Sequence, residues 1–131
     1  MNFLRTPLIR PLVMAAAFGM AAPAAFAAPA NEWNIDLKGR AKTDGEITLA
    51  VTPAGGEATN VAIAIPAATN HEAAAVMISN ALSKEFGTGV YAIRTDGTDE
   101  VEMKAINGNR DFDVIVVRNT ADGLAIKLDR D

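Results

Sequence analysis

Apolar and polar residues alternate along the chain with a period that changes several times, and each change marks an element. Trp33, Ile35 and Leu37 alternate with Asn34, Asp36 and Lys38, a period of two that predicts a half-buried strand. After the T-D-G turn at Thr43 to Gly45, Ile47, Leu49 and Val51 fall on one face of a second strand, with Thr48, Ala50 and Thr52 on the other. A P-A-G-G-E turn at Pro53 to Glu57 leads into V-A-I-A-I, where Val61, Ile63 and Ile65 share a face. The pair predicts a hairpin with a longer loop, closed at Pro66, which has no N–H to give to a ladder.

The period then lengthens. Ala74, Ala75, Ile78, Ala81, Leu82 and Phe86 recur at three- and four-residue spacing, the stripe of an amphipathic helix. Thr69 followed three residues later by Glu72 reads as a capping box at its start, and Gly87 stands where a left-handed cap is wanted at its end. Beyond it the period of two returns in V-Y-A-I-R-T, in E-V-E-M-K-A-I, in F-D-V-I-V-V and in L-A-I-K-L, separated by turns at D-G-T-D, N-G-N-R-D and Asp122-Gly123. These spacings predict an antiparallel meander. The fold class expected is α+β, a single amphipathic helix packed on an antiparallel β-sheet in the order β-β-β-α-β-β-β-β.

One strand departs from simple alternation. In D-V-I-V-V, Phe112, Val114 and Val116 line one face while Ile115 and Val117 make the other apolar too. A single helix covers only one face of a sheet. Either this strand is central and the N-terminal segment covers its second face, or another chain does. Ile115 and Val117 are therefore the candidate partner-binding residues, for a protein partner or for self-association.

The first residues change the picture of where this domain works. Arg5 and Arg10 precede an uncharged run that ends in A-A-F-A-A-P-A, the layout of a secretory signal peptide with small residues before the cut. Cleavage is expected after Ala27, with Ala30 as second choice, so that residues 1–27 are the leader and 28–131 a single domain. A retained membrane anchor is the rival reading, but Pro23 and Pro29 interrupt the helix a span needs. The mature protein is expected to be periplasmic or secreted, with no membrane insertion after cleavage. The chain has no cysteine, so stability in an oxidising compartment has to come from packing, and a lipid-anchored cysteine is excluded.

Charge narrows the partners. Twelve basic residues face sixteen acidic ones, and losing Arg5 and Arg10 with the leader takes the net charge to about −6. The remaining Lys and Arg are scattered singly, which argues against nucleic acid and anionic lipid.

Candidate chemistry is sparse. His71, the single histidine, falls in the first helical turn, where the helix dipole disfavours a positive imidazole and side chains are usually solvated. The two serines of the domain, Ser79 and Ser83, sit in mid-helix. A nucleophile with a base beside it is therefore not expected, and a lone imidazole does not make a zinc site. Asp96, Asp99 and Glu100 gather in one turn without the spacing of a twelve-residue calcium loop. Asp111 and Asp113, two apart, are read as polar positions near a strand start rather than a glycosidase pair. Gly55-Gly56 lacks the Lys and Ser/Thr of a phosphate loop. Trp33 is either a carbohydrate platform or an anchor of the first strand, and its place near the domain start favours the anchor.

The run from Glu46 to Phe86, with its alternation, Gly-Gly turn and Ala-rich helix, resembles units of phage-tail and other bacterial surface-assembly proteins. The resemblance covers under half of the domain and brings no functional residue with it. The expectation is an exported, non-enzymatic binding or assembly module of the bacterial envelope or surface, without catalytic residues, cofactor or metal. The alternative is a carboxylate-based enzyme or a calcium- or small-ligand-binding periplasmic protein using Asp96, Asp99 and Glu100.

Overall fold

The computed structural model describes residues 29–95 and 99–130. The expected leader and Asp96 of the acidic turn lie outside them. Among the described residues the order is β1 (Glu32–Gly39), β2 (Gly45–Pro53), β3 (Thr59–Ile65), α1 (His71–Phe86), β4 (Tyr91–Thr95), β5 (Glu100–Ala105), β6 (Phe112–Asn119) and β7 (Leu124–Arg130). The class is α+β, with one helix packed on antiparallel strands.

The strands form two sheets, one ordered β4-β5-β1-β7 and the other β3-β2-β6. The meander expected after the helix is therefore only half present. β4 and β5 pair as a hairpin, with Tyr91 opposite Ala105, but the chain then crosses to the second sheet for β6 and returns to the first for β7. The reason is coverage. Seven strands each present an apolar face, and α1 buries only Ala74, Ala75, Ile78 and Leu82. Stacking one sheet's apolar face on the other's covers what the helix cannot. Trp33, Ile35, Leu37, Val101 and Met103 from the first sheet thus share one core with Ile47, Leu49, Val51, Val61, Ile63, Phe112 and Val114 from the second.

The helix packs against β3 and β4, the outer strands of the two sheets, and against β1 and β5. It closes one side of the sandwich, and its alanines let it approach closely. Its N-cap is Asn70 rather than Thr69. The Asn70 Oδ1 accepts the Ala73 N–H at 2.8 Å, while Thr69 is buried and its carbonyl accepts the Ala41 N–H at 2.8 Å. In T-N both residues are good caps. Tethering Thr69 to the segment after β1 leaves the neighbour to do the capping. Gly87 ends the helix with φ of 72° and ψ of −158°, its N–H bonded to the Ser83 carbonyl at 2.8 Å, a positive-φ conformation that glycine adopts readily but not the left-handed αL cap expected.

The opposite side is held by backbone contact between the turns that leave β1 and β6. Lys42 N–H reaches the Asp122 carbonyl at 2.7 Å and Thr120 N–H reaches that of Glu46 at 2.9 Å. A Cβ at Gly45 would lie 2.5 Å from the backbone of Thr120 and Ala121, so this crossing needs glycine for proximity. A third tie joins the sheets at their far end. Ala30 exchanges two backbone hydrogen bonds with Phe112, both 2.9 Å, and the buried Trp33 Nε1 donates to the Phe112 carbonyl at 2.7 Å. Trp33 is 3% exposed, which is the anchor reading of this residue and leaves no face for a sugar.

Candidate interaction surface

The inner faces of the two sheets are alike, but their outer faces differ in chemistry. On the first sheet, alternation turns Arg94, Glu100, Glu102, Lys104, Glu32, Asn34, Asp36, Lys38, Lys127 and Asp129 outward. Neighbouring strands set these charges side by side. Arg94 lies opposite Glu102 and forms an ion pair with it, and Lys127 lies 3.7 Å from Asp129. A hydrogen bond with Glu32, and after it the Arg94 guanidinium, hold the Glu102 carboxyl below the usual carboxylate range. Glu102 in turn raises Arg94. Such a face is well solvated and stable against water.

The second sheet turns outward Asn60, Ala62 and Ala64 from β3, Thr48, Ala50 and Thr52 from β2, and Asp113, Ile115 and Val117 from β6. Glu46 and Arg118 add a loose ion pair of 3.9 Å at one end. Ile115 is opposite Ala50 in register, and a bulge between Thr48 and Leu49 leaves Val117 as the extra residue. The two candidate partner-binding residues are 46% and 53% exposed. Among the described residues β6 is an edge strand. It pairs with β2 on one side and, among the described residues, is bridged on the other only by Ala30.

Asp113 begins the exposed stretch. Its Oδ1 is buried without a hydrogen-bond partner, and burial pushes the carboxyl upward against the Val114 N–H and the charge of Arg130. Beside it, a shallow groove of about 320 Å³ runs between the Pro53–Gly56 turn and Ile115, with Pro29 at its rim. The first described residue thus reaches the end of this face without covering it.

The residues considered for chemistry are dispersed. His71 is half-buried at the first position of α1, its Nδ1 without a hydrogen-bond partner. Ser79 and Ser83 are half-buried on the same helix. The Asp99 carbonyl accepts the Leu37 N–H at 2.9 Å, tying the acidic turn to β1. Among the described residues no cluster of three or more His, Asp or Glu side chains could hold a metal ion. No helix of the described residues is long and apolar enough to cross a membrane.

The geometry defines a small α+β domain built as two antiparallel sheets with one helix closing an edge. In comparisons with protein-family models and with curated proteins, the chain matches none.

Sequence reasoning singled out Ile115 and Val117, which the structure places about half exposed, but missed that β6 is an edge strand among the described residues. A signal for it was present. The helix stripe is much narrower than the apolar surface of seven strands, which already implies a second layer and hence four strand edges rather than two.

Proposed function

We propose that this protein is an exported, non-enzymatic binding or assembly module, and that it acts through protein–protein contacts on the outer face of the β3-β2-β6 sheet. The observation that carries the reading is the contrast between the two outer faces. One is covered with paired charges, whereas the other carries Ala, Thr, Ile and Val at its centre, with Asn60, Asp113 and the Glu46–Arg118 pair toward its ends, and with Ile115 and Val117 about half exposed. Exposed apolar side chains on an edge strand favour another chain over water. The absence of cysteine fits an exported domain that depends on this sandwich alone. The long strand edge adds backbone groups that a partner strand can pair.

Site-specific photocrosslinking in the exporting cell tests the reading. A photoreactive residue at 115 or 117 should yield a discrete protein adduct, and one at Lys38 or Lys127 on the charged face should not. Equal labelling from both faces, or none from 115 and 117, would refute it.

A further inference from the structure

We infer that Asp113 receives the free α-ammonium of Ala28, the terminus left when the leader is cut after Ala27, so that processing adds an ion pair where the chain enters the fold. The inference rests on the proposed export of this protein, and Ala28 itself lies outside the described residues.

The place of the amine follows from the register of its neighbours. Ala30 exchanges two backbone hydrogen bonds with Phe112. In an antiparallel ladder such a pair is followed by one without hydrogen bonds, whose Cα atoms stand about 4.5 Å apart and whose side chains share a face. That next pair is Pro29 with Asp113, and both line the groove beside the Pro53–Gly56 turn. Proline suits the position, because an N–H there would point away from β6 and have no ladder partner. The residue before a proline is held extended. One residue spans about 3.3–3.6 Å, which brings the Ala28 nitrogen within ion-pair range of the Asp113 carboxyl.

Asp113 is ready for a cation. Its Oδ1 is buried without a hydrogen-bond partner, and a carboxylate oxygen out of water is costly until a donor reaches it. No basic side chain is among the described residues that line the groove. Arg110 donates to the Ala54 carbonyl at 3.2 Å, and Arg130 acts on Asp113 through its charge alone. In the uncut chain the Ala28 nitrogen is a neutral amide and offers no charge. Hydrolysis of the Ala27–Ala28 bond by the exporting cell's leader peptidase consumes one water, leaves a carboxylate on the leader and gives Ala28 its ammonium. A cut after Ala30 would instead discard the residue that bonds Phe112 twice, so the folded domain keeps this tie only with the earlier site.

The test uses the full gene product, exported by the cell and recovered as it is processed there. N-terminal sequencing should read Ala28 first. The α-amine, which ordinarily titrates at about 7.7–8.0, should titrate above that range in NMR, because the Asp113 carboxylate favours its charged form. Asp113→Asn should return it to the ordinary range. The stabilisation is therefore full below the ordinary amine range and fades as pH rises through the folded value. Acetylating the α-amine at about pH 7, where lysine side chains stay protonated, should lower the melting temperature of the wild type by about 4–8 °C. It should leave that of Asp113→Asn unchanged, since the two changes remove the same contact. The wild-type titration decides the matter by itself if Asp113→Asn does not fold. A chain beginning at Met1 overturns the inference and the export it rests on, and one beginning beyond Ala28 overturns the inference while export stands. An Ala28 start whose amine titrates ordinarily, or whose acetylation is felt equally in Asp113→Asn, overturns the ion pair alone.

Discussion

Replacing Trp33 with Phe tests the joint between the two sheets. The indole N–H is 2.7 Å from the Phe112 carbonyl and the side chain is 3% exposed, so Trp33→Phe removes one buried hydrogen bond and leaves a void. The net hydrogen-bond loss is about 0.5–1.5 kcal/mol. The carbonyl is not orphaned, because the Ala30 N–H still reaches it at 2.9 Å, which keeps the cost at this level. The missing ring atoms and the cavity add about 1–1.5 kcal/mol. The sum, about 1.5–3 kcal/mol, corresponds to a fall of about 6–24 °C in melting temperature for a domain of roughly 100 residues. Urea unfolding followed by far-UV circular dichroism measures it, since the substitution removes the single Trp that fluorescence would use. The slope of free energy against urea should stay unchanged. A loss under about 0.5 kcal/mol would refute the argument that Trp33 ties β1 to β6.

Other expectations follow from single contacts. Gly45→Ala places a Cβ 2.5 Å from the backbone of Thr120 and Ala121 and should cost about 3 kcal/mol or more. Gly87→Ala meets no atom within 4 Å and pays only for φ of 72°, about 1 kcal/mol, so thermal melts of the pair separate contact from conformation. Asn70→Ala should cost about 1 kcal/mol as a lost cap, with Glu72→Gln near neutral in the same melts. The lowered Glu102 carboxyl means that its stabilising contribution is present at neutral pH and fades as pH falls through its folded value. Arg94→Ala should move that titration upward in carbon-detected NMR, and an unmoved Glu102 would assign the effect to Glu32 alone.

The period of two located the strands because the core takes the same apolar face whether a helix or a second sheet covers it. For that reason the split into two sheets could not be read from alternation. Its trace lies in a mismatch of areas: α1 buries Ala74, Ala75, Ile78 and Leu82, of which two are the smallest side chains that bury at all, against rows of Ile, Leu and Val on seven strands. The apolar character of both faces in Val114 to Val117 left two readings open, a central strand covered by the N-terminal segment or a face closed by another chain, and among the described residues β6 lies at an edge. Burial of its inner face and exposure of its outer face produce the same letters as burial of both. Thr69 and Asn70 are both capping residues, Asn the stronger, and the bond from Ala41 N–H to the Thr69 carbonyl adds to that preference by holding Thr69 against the segment after β1.

Among the described residues two strand edges are left uncovered by the helix, those of β6 and β7, and their chemistry differs. β7 carries Lys127, Asp129 and Arg130, the charged rim that keeps an edge from pairing with other chains. β6 has only Asp113 and Arg118 around four consecutive apolar residues. If Ile115 and Val117 served the domain's own stability, they would be buried, but both are about half exposed and absent from the core. Ile115→Lys should therefore leave the free energy of unfolding within about 1 kcal/mol of wild type, a change of strand propensity only. The same substitution should abolish the photocrosslinked adduct at position 117. If Ile115→Lys instead lowers stability by about 3 kcal/mol, as a core truncation does, the side chain belongs to the interior and the argument for an interaction face at β6 fails.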